Sequence, residues 1–294
     1  MPPVRAPAFE TFVRPARARP QRLRLALAIR LGAATYLALL FARVAAAGLV
    51  AGADGMLQTA ARADSPAATL VLLATFAGMA LGPIFAARLL HARSAATLFG
   101  RGPRVLRHFF AAAGLAAIPY AISVALWFAL FDAVPRLDPL LWLTLLPLSL
   151  AGLLLQTGAE ELLFRGYLQQ QLAARFRSPV FWMVLPSLVF GLLHYDPATS
   201  GANALFFVAA TTAFALAAAD LTAVTGSLGA AWGMHLVNNI FAVLIVAVDG
   251  TLPGLALFTT PYGADDTGPL RLLILGDIAV LILAWALIRR ALRR

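Results

Sequence analysis

Apolar runs of about 20 residues recur along this chain, and a run of that length crosses a bilayer as a single helix. Of the 294 residues, 61% are hydrophobic and 12% are charged, against about one-quarter charged in soluble domains. Mean hydropathy is +0.84. The fold class this predicts is all-α, a polytopic transmembrane bundle. Eight helices are expected, near 28–52, 67–90, 108–131, 142–175, 179–195, 201–219, 223–248 and 270–288. Strands that alternate apolar and polar residues are absent from the pattern, which argues against an outer-membrane barrel.

All 23 basic residues are arginine, the net charge is +10, and there is no cysteine. The missing cysteine excludes disulfides, thiolate metal sites and cysteine nucleophiles. The arginines gather at the ends of apolar runs with no interleaved aromatic stripe to stack bases, so no nucleic-acid partner is expected. Their distribution reads as topology instead. Residues 1–27 form an arginine- and proline-rich arm, expected to be cytoplasmic, disordered and held by anionic lipid. Residues 28–290 form the transmembrane domain. Arg93, Arg101, Arg104 and Arg107, the 175–178 turn, and Arg289, Arg290, Arg293 and Arg294 mark the inner side, whereas the alternate connections carry aspartates. Both termini are therefore expected in the cytoplasm, with a bacterial inner membrane as the location. A turn at Asp220 fits this scheme badly, because it should face inward and has no arginine. Arg43 is expected to snorkel outward. His91 and His108 flank the inner arginine-rich loop and are expected at the surface. No internal repeat is visible, so an inverted-repeat transporter gains no support.

Only three glutamates occur, and two of them, Glu160 and Glu161, lie side by side within the run LLLQTGAEELLFRGYL. Ionisable groups at membrane depth are costly and mark pathways, relays or catalytic centres. Arg165 follows Glu161 by four residues and shares its helix face, so the two can neutralise each other. Glu160 is rotated about 100° away and is left free. Two further pairs have the same spacing: Phe190 with His194, and His235 with Asn239. Counted from the inner ends of their helices, Glu160, His194 and His235 each rise about 20–22 Å at 1.5 Å per residue. This convergence requires one unbroken helix through 142–175, past Thr157 and Gly158. A carboxylate near imidazoles in a low-dielectric cavity suits a general base. Donors such as His235 and Asn239 suit an oxyanion forming on a carbonyl. Together they suit activation of water against an amide. Gly229 and Gly233, one turn before His235, are expected to allow close helix approach.

EExxxR, FxxxH and HxxxN, in this order on separate apolar helices, resemble the CAAX-protease and bacteriocin-processing family (CPBP, or Abi). That family includes endopeptidases that trim prenylated CAAX proteins, and the resemblance covers about residues 145–245. It implies an intramembrane peptide hydrolase acting on a membrane-presented, CAAX-like or other lipid-modified substrate. It implies Glu160 as the base that activates water, His194 as a holder of that water, and His235 and Asn239 as oxyanion donors. Glu161, Arg165 and Phe190 would support them. The family is often labelled a metalloprotease. A metal-free mechanism is favoured here, since the HExxH signature is absent. Zinc on Glu160, His194 and His235 is the other reading. The rivals from other classes are a membrane immunity or scaffold protein and a proton-coupled transporter. Tyr195-Asp196 and Gly276-Asp277 imitate pieces of presenilin-type aspartyl proteases, but Ile274 stands where that pattern needs glycine. Ser227 lies outside the glycine-serine context of a rhomboid site.

Overall fold

Three helices open on a cap followed by proline. In the computed structural model, which describes residues 6–19, 21–61 and 63–293, Ser65, Asp138 and Asp196 each precede a proline that starts a helix. Their side-chain oxygens accept N–H groups of the first turn: Ala68 for Ser65, Leu140 and Leu141 for Asp138, Ala198 and Thr199 for Asp196. Those donors have no partner within the helix, and proline at the first position has none to lose.

The helices are α1 (Pro7–Val13), α2 (Arg22–Ala61), α3 (Pro66–Leu90), α4 (Gly102–Leu130), α5 (Pro139–Arg175), α6 (Val180–Leu192), α7 (Pro197–Thr225), α8 (Gly229–Ile245) and α9 (Pro269–Leu292). Six of these, α2 to α5, α7 and α9, contain a stretch long and apolar enough to cross a membrane, and α6 and α8 are shorter apolar helices. Each of the eight expected apolar segments has a helical counterpart. The chain is an integral, multi-pass membrane protein of the all-α class.

α8 packs against α4, α5 and α7, and two glycines bring it close to α4. A Cβ at Gly229 would stand 2.1 Å from the Val105 carbonyl oxygen, and one at Gly233 2.2 Å from that of Phe109. Only a residue without a side chain fits either place, as expected from the small-residue spacing. α5 runs unbroken through Thr157 and Gly158. The indole of Trp232 lies against Gly158, where a Cβ would come within 2.8 Å of the ring, and its Nε1–H donates to Thr157 Oγ1 at 3.2 Å. The glycine is thus a seat for α8 rather than a break. Past Glu161 the helix widens into a π stretch, Leu162–Gln169.

A small sheet was not anticipated. β1 (Val134–Pro135) pairs antiparallel with β3 (Phe258–Gly263), which pairs parallel with β2 (Val246–Asp249). These strands tie the α4–α5 connection to the end of α8. They are too short for hydropathy alternation to show.

Several expectations are corrected. There is no turn at Asp220: α7 continues to Thr225, and Gly226 ends it at φ +64°. Asp220 accepts from Arg289 Nε at 2.7 Å and Trp285 Nε1 at 2.9 Å, so the arginine missing from its own loop is supplied by α9. His91 and His108 are buried, at 4% and 5% exposure. His91 meets the Tyr167 hydroxyl at 2.7 Å, and His108 meets Ser227 Oγ at 2.9 Å. Burial, then the charges of Arg93, Arg175 and Arg24, push the His91 imidazole down to about 4, against the opposing hydrogen bond to the Arg19 carbonyl. Within the arm, Pro7–Val13 forms α1. Phe9, Phe12 and Val13 have the spacing of one helix face and are buried. Phe9 lies 4.8 Å from the Trp182 ring, and the Phe12 carbonyl accepts Gln170 Nε2–H at 2.7 Å. Residues 1–5 and 20, and the side chain of Arg43, lie outside the described residues.

Candidate active site

Glu161 is fully buried and binds two partners through one oxygen. Arg165 Nη1 donates to Oε1 at 2.8 Å, and His235 Nδ1 approaches the same atom at 2.8 Å. The first contact is the predicted i,i+4 pair. The second joins α5 to α8. A carboxylate can only accept here, so Nδ1 of His235 carries the proton. The other ring nitrogen, Nε2, then faces Glu160 Oε2 at 3.5 Å. Adjacent glutamates thus grip opposite sides of one imidazole. With His235 protonated, Glu160, Glu161, Arg165 and His235 sum to zero charge, which suits a low-dielectric interior.

Arg165 is 2% exposed. It also donates to the Ala215 carbonyl at 3.2 Å, and its guanidinium lies 5.0 Å from the centroid of the Phe190 ring. The same ring stands 4.9 Å from His194 and 6.3 Å from His235. Phe190 therefore walls the site, as its position four residues before His194 suggests. His194 Nδ1 donates to the Phe190 carbonyl oxygen at 2.8 Å, because a carbonyl can only accept. Its Nε2 is consequently a lone-pair acceptor when the ring is neutral.

Glu160, His194, His235 and Asn239 line one cavity of about 450 Å³ with a predominantly apolar wall. The size and lining match a ligand site. Asn239 is anchored at both ends of its amide. Nδ2 donates to Gln156 Oε1 at 2.8 Å, and Oδ1 accepts from Asn238 Nδ2 at 3.0 Å. Tyr120 completes the chain by donating to Asn238 Oδ1 at 2.7 Å. One N–H of Asn239 is left for a ligand.

The sequence reading missed Gln156, Asn238 and Tyr120. Gln156 had a signal, since it stands one turn before Glu160 on the same helix face. Tyr120 had none, because it reaches the site from α4. Asp277 also lines the cavity. Asp196, its partner in the presenilin-like pattern, instead caps α7. Among the described residues, no group of three or more His, Cys, Asp or Glu side chains is close enough together to hold a metal ion.

Residues 138–241 match the family model described as type II CAAX prenyl endopeptidase Rce1-like. Over 127 residues the chain is 31% identical to the uncharacterized protein YyaK of Bacillus subtilis (strain 168), covering 42% of this chain. It spans 41% of that relative's length. No solved structure matches. The matched stretch runs from the cap of α5 into α8 and holds Glu160, His194, His235 and Asn239, so the likeness to that family covers the part of the chain that carries the cavity's polar residues.

Proposed function

We propose that the chain is an intramembrane endopeptidase that hydrolyses a peptide bond of a membrane-presented substrate, a prenylated CAAX-like end being one of this kind. It would work in a bacterial inner membrane with both termini cytoplasmic. The observation that carries the reading is the Glu160–His235 approach of 3.5 Å, with the far side of the imidazole held by Glu161, at the wall of an apolar cavity. The Rce1-like match supports peptidase activity at the level of the family.

In this reading a water sits between Glu160 and His194. His194 Nε2 accepts one of its hydrogens, and Glu160 removes the other as oxygen attacks the substrate carbonyl. Charge then develops on the carbonyl oxygen. His235 Nε2–H and the free N–H of Asn239 donate to it, in a site where such donors count for more than in water. Glu160 returns the proton to the departing nitrogen and the C–N bond breaks; the hydroxyl proton held by His194 follows to the released amine, so a carboxylate and an ammonium leave. Glu161, itself held by Arg165, keeps His235 oriented. No step passes through a metal.

The test uses the full chain in proteoliposomes with membrane-anchored peptides, lipidated and unlipidated. Cleavage is expected, with a rate that stays within twofold after exhaustive dialysis against a chelator. Loss of activity that zinc restores would overturn the metal-free step. Absence of cleavage together with uptake driven by a pH gradient would favour the transporter reading, and absence of both would favour a scaffold.

A further inference from the structure

One charged side chain in the cavity takes no part in this chemistry. Asp277 lies on α9, outside the matched stretch 138–241. The buried residues of that helix, Leu270, Ile274, Leu281, Ala284 and Ile288, form a single inward stripe at helical spacing. Asp277 falls inside the stripe, three residues after Ile274 and four before Leu281. It points inward with them yet is exposed. It lines the cavity that Glu160, His194 and His235 also line.

Its charge is unanswered there. No arginine lines the cavity, and the chain has no lysine. Glu160, the other acid, is matched by His235. Among the described residues no hydrogen bond or ion pair reaches the Asp277 carboxylate. The wall of that cavity includes Val124, Phe241, Ile274 and Leu281, and Tyr120 lies within electrostatic reach of the carboxylate. A carboxylate placed on an apolar wall without a counter-charge is costly, and in such surroundings it attracts a cation far more strongly than it would in water.

We infer that Asp277 is the cation-recognising residue of the cavity, and that the substrate segment bound beside it carries a basic side chain or a free amine. This rests on the cavity being the substrate site of a peptide hydrolase. The positive group pairs with Asp277 while the apolar remainder of the segment lies along the wall towards Glu160. Selection is therefore for a cationic, otherwise hydrophobic peptide, and an acidic residue at the same place is rejected by like charge.

Binding of two probes to the full chain in nanodiscs tests this without any turnover: N-decanoyl-arginine amide and its neutral isostere, N-decanoyl-citrulline amide. Wild type is expected to bind the arginine probe at least tenfold more tightly. Asp277→Asn should bring the two within twofold by weakening the arginine probe alone. Asp277→Ser, equally neutral, guards against a folding defect in the first variant, and thermal midpoints without probe check both. Glu160→Gln should keep the tenfold preference. The inference is overturned if wild type prefers arginine by less than threefold, if both neutral variants keep the preference, or if Glu160→Gln abolishes it as fully as they do. Hydrolysis could fail with this preference intact, and the preference could fail with hydrolysis intact.

Discussion

Glu160→Gln is expected to lower the rate of peptide cleavage by about 10²–10⁴-fold, the usual contribution of a positioned general base. The substitution keeps size and shape and removes only the ability to take a proton. Glu160 is buried at 7% exposure beside the cavity, and a glutamine fills the same space. Helix content should therefore stay close to wild type, and the thermal midpoint should fall by less than in Glu161→Gln, since His235 keeps its other carboxylate. The loss should fall on kcat with KM nearly unchanged, because the interaction removed matters at the transition state. Single-turnover cleavage of a membrane-anchored peptide in proteoliposomes gives the number. Activity within tenfold of wild type would assign the base elsewhere and sink the mechanism.

Glu161→Gln should act mainly on stability, by about 3–5 kcal/mol, the cost of leaving a buried charge without its partner. Arg165 would keep only the Ala215 carbonyl and the face of Phe190. His235 would lose the acceptor at Nδ1 that orients it. Replacing both partners, as Glu161→Leu with Arg165→Met, removes the stranded charge. The double variant should therefore be more stable than Glu161→Gln, a coupling that a double-mutant cycle measures. Activity should not return with it, since His235 still lacks its carboxylate. A double variant as active as wild type would show that Glu161 serves packing alone. Unfolding curves in mixed micelles and the cleavage assay together separate these outcomes.

How far the sequence could be read follows from the range of each interaction. The eight apolar helices depend on local hydropathy, and every one was legible. The meeting of Glu160, His194, His235 and Asn239 in one cavity was legible because depth along a helix is a matter of counting residues. The bond from Glu161 to His235 was not, because the i,i+4 rule looks only within one helix and found Arg165 first. Asp220 was misread as a turn for the same reason, its partner Arg289 lying 69 residues away. Asp277 was set aside because a glycine pattern failed at Ile274, yet Ile274 is itself part of the stripe that aims Asp277 inward. The buried histidines at 91 and 108 were placed outside by their arginine-rich neighbours, although each has a hydroxyl waiting on another segment.

The seat of α1 is built from residues that come much later in the chain. Phe12 is held by Gln170, Phe9 rests on Trp182, and Ala8 lies so close to Gly226 that a Cβ there would come within 2.4 Å of the Ala8 carbonyl oxygen. At the usual pace of translation, about 5–20 residues per second, roughly 10–40 s separate the synthesis of Ala8 from that of Gly226. During that interval Phe9, Phe12 and Val13 have no finished surface to cover them. α1 is thus obliged to wait for α5, α6 and the end of α7, and a nascent chain halted before residue 226 should leave it open to protease.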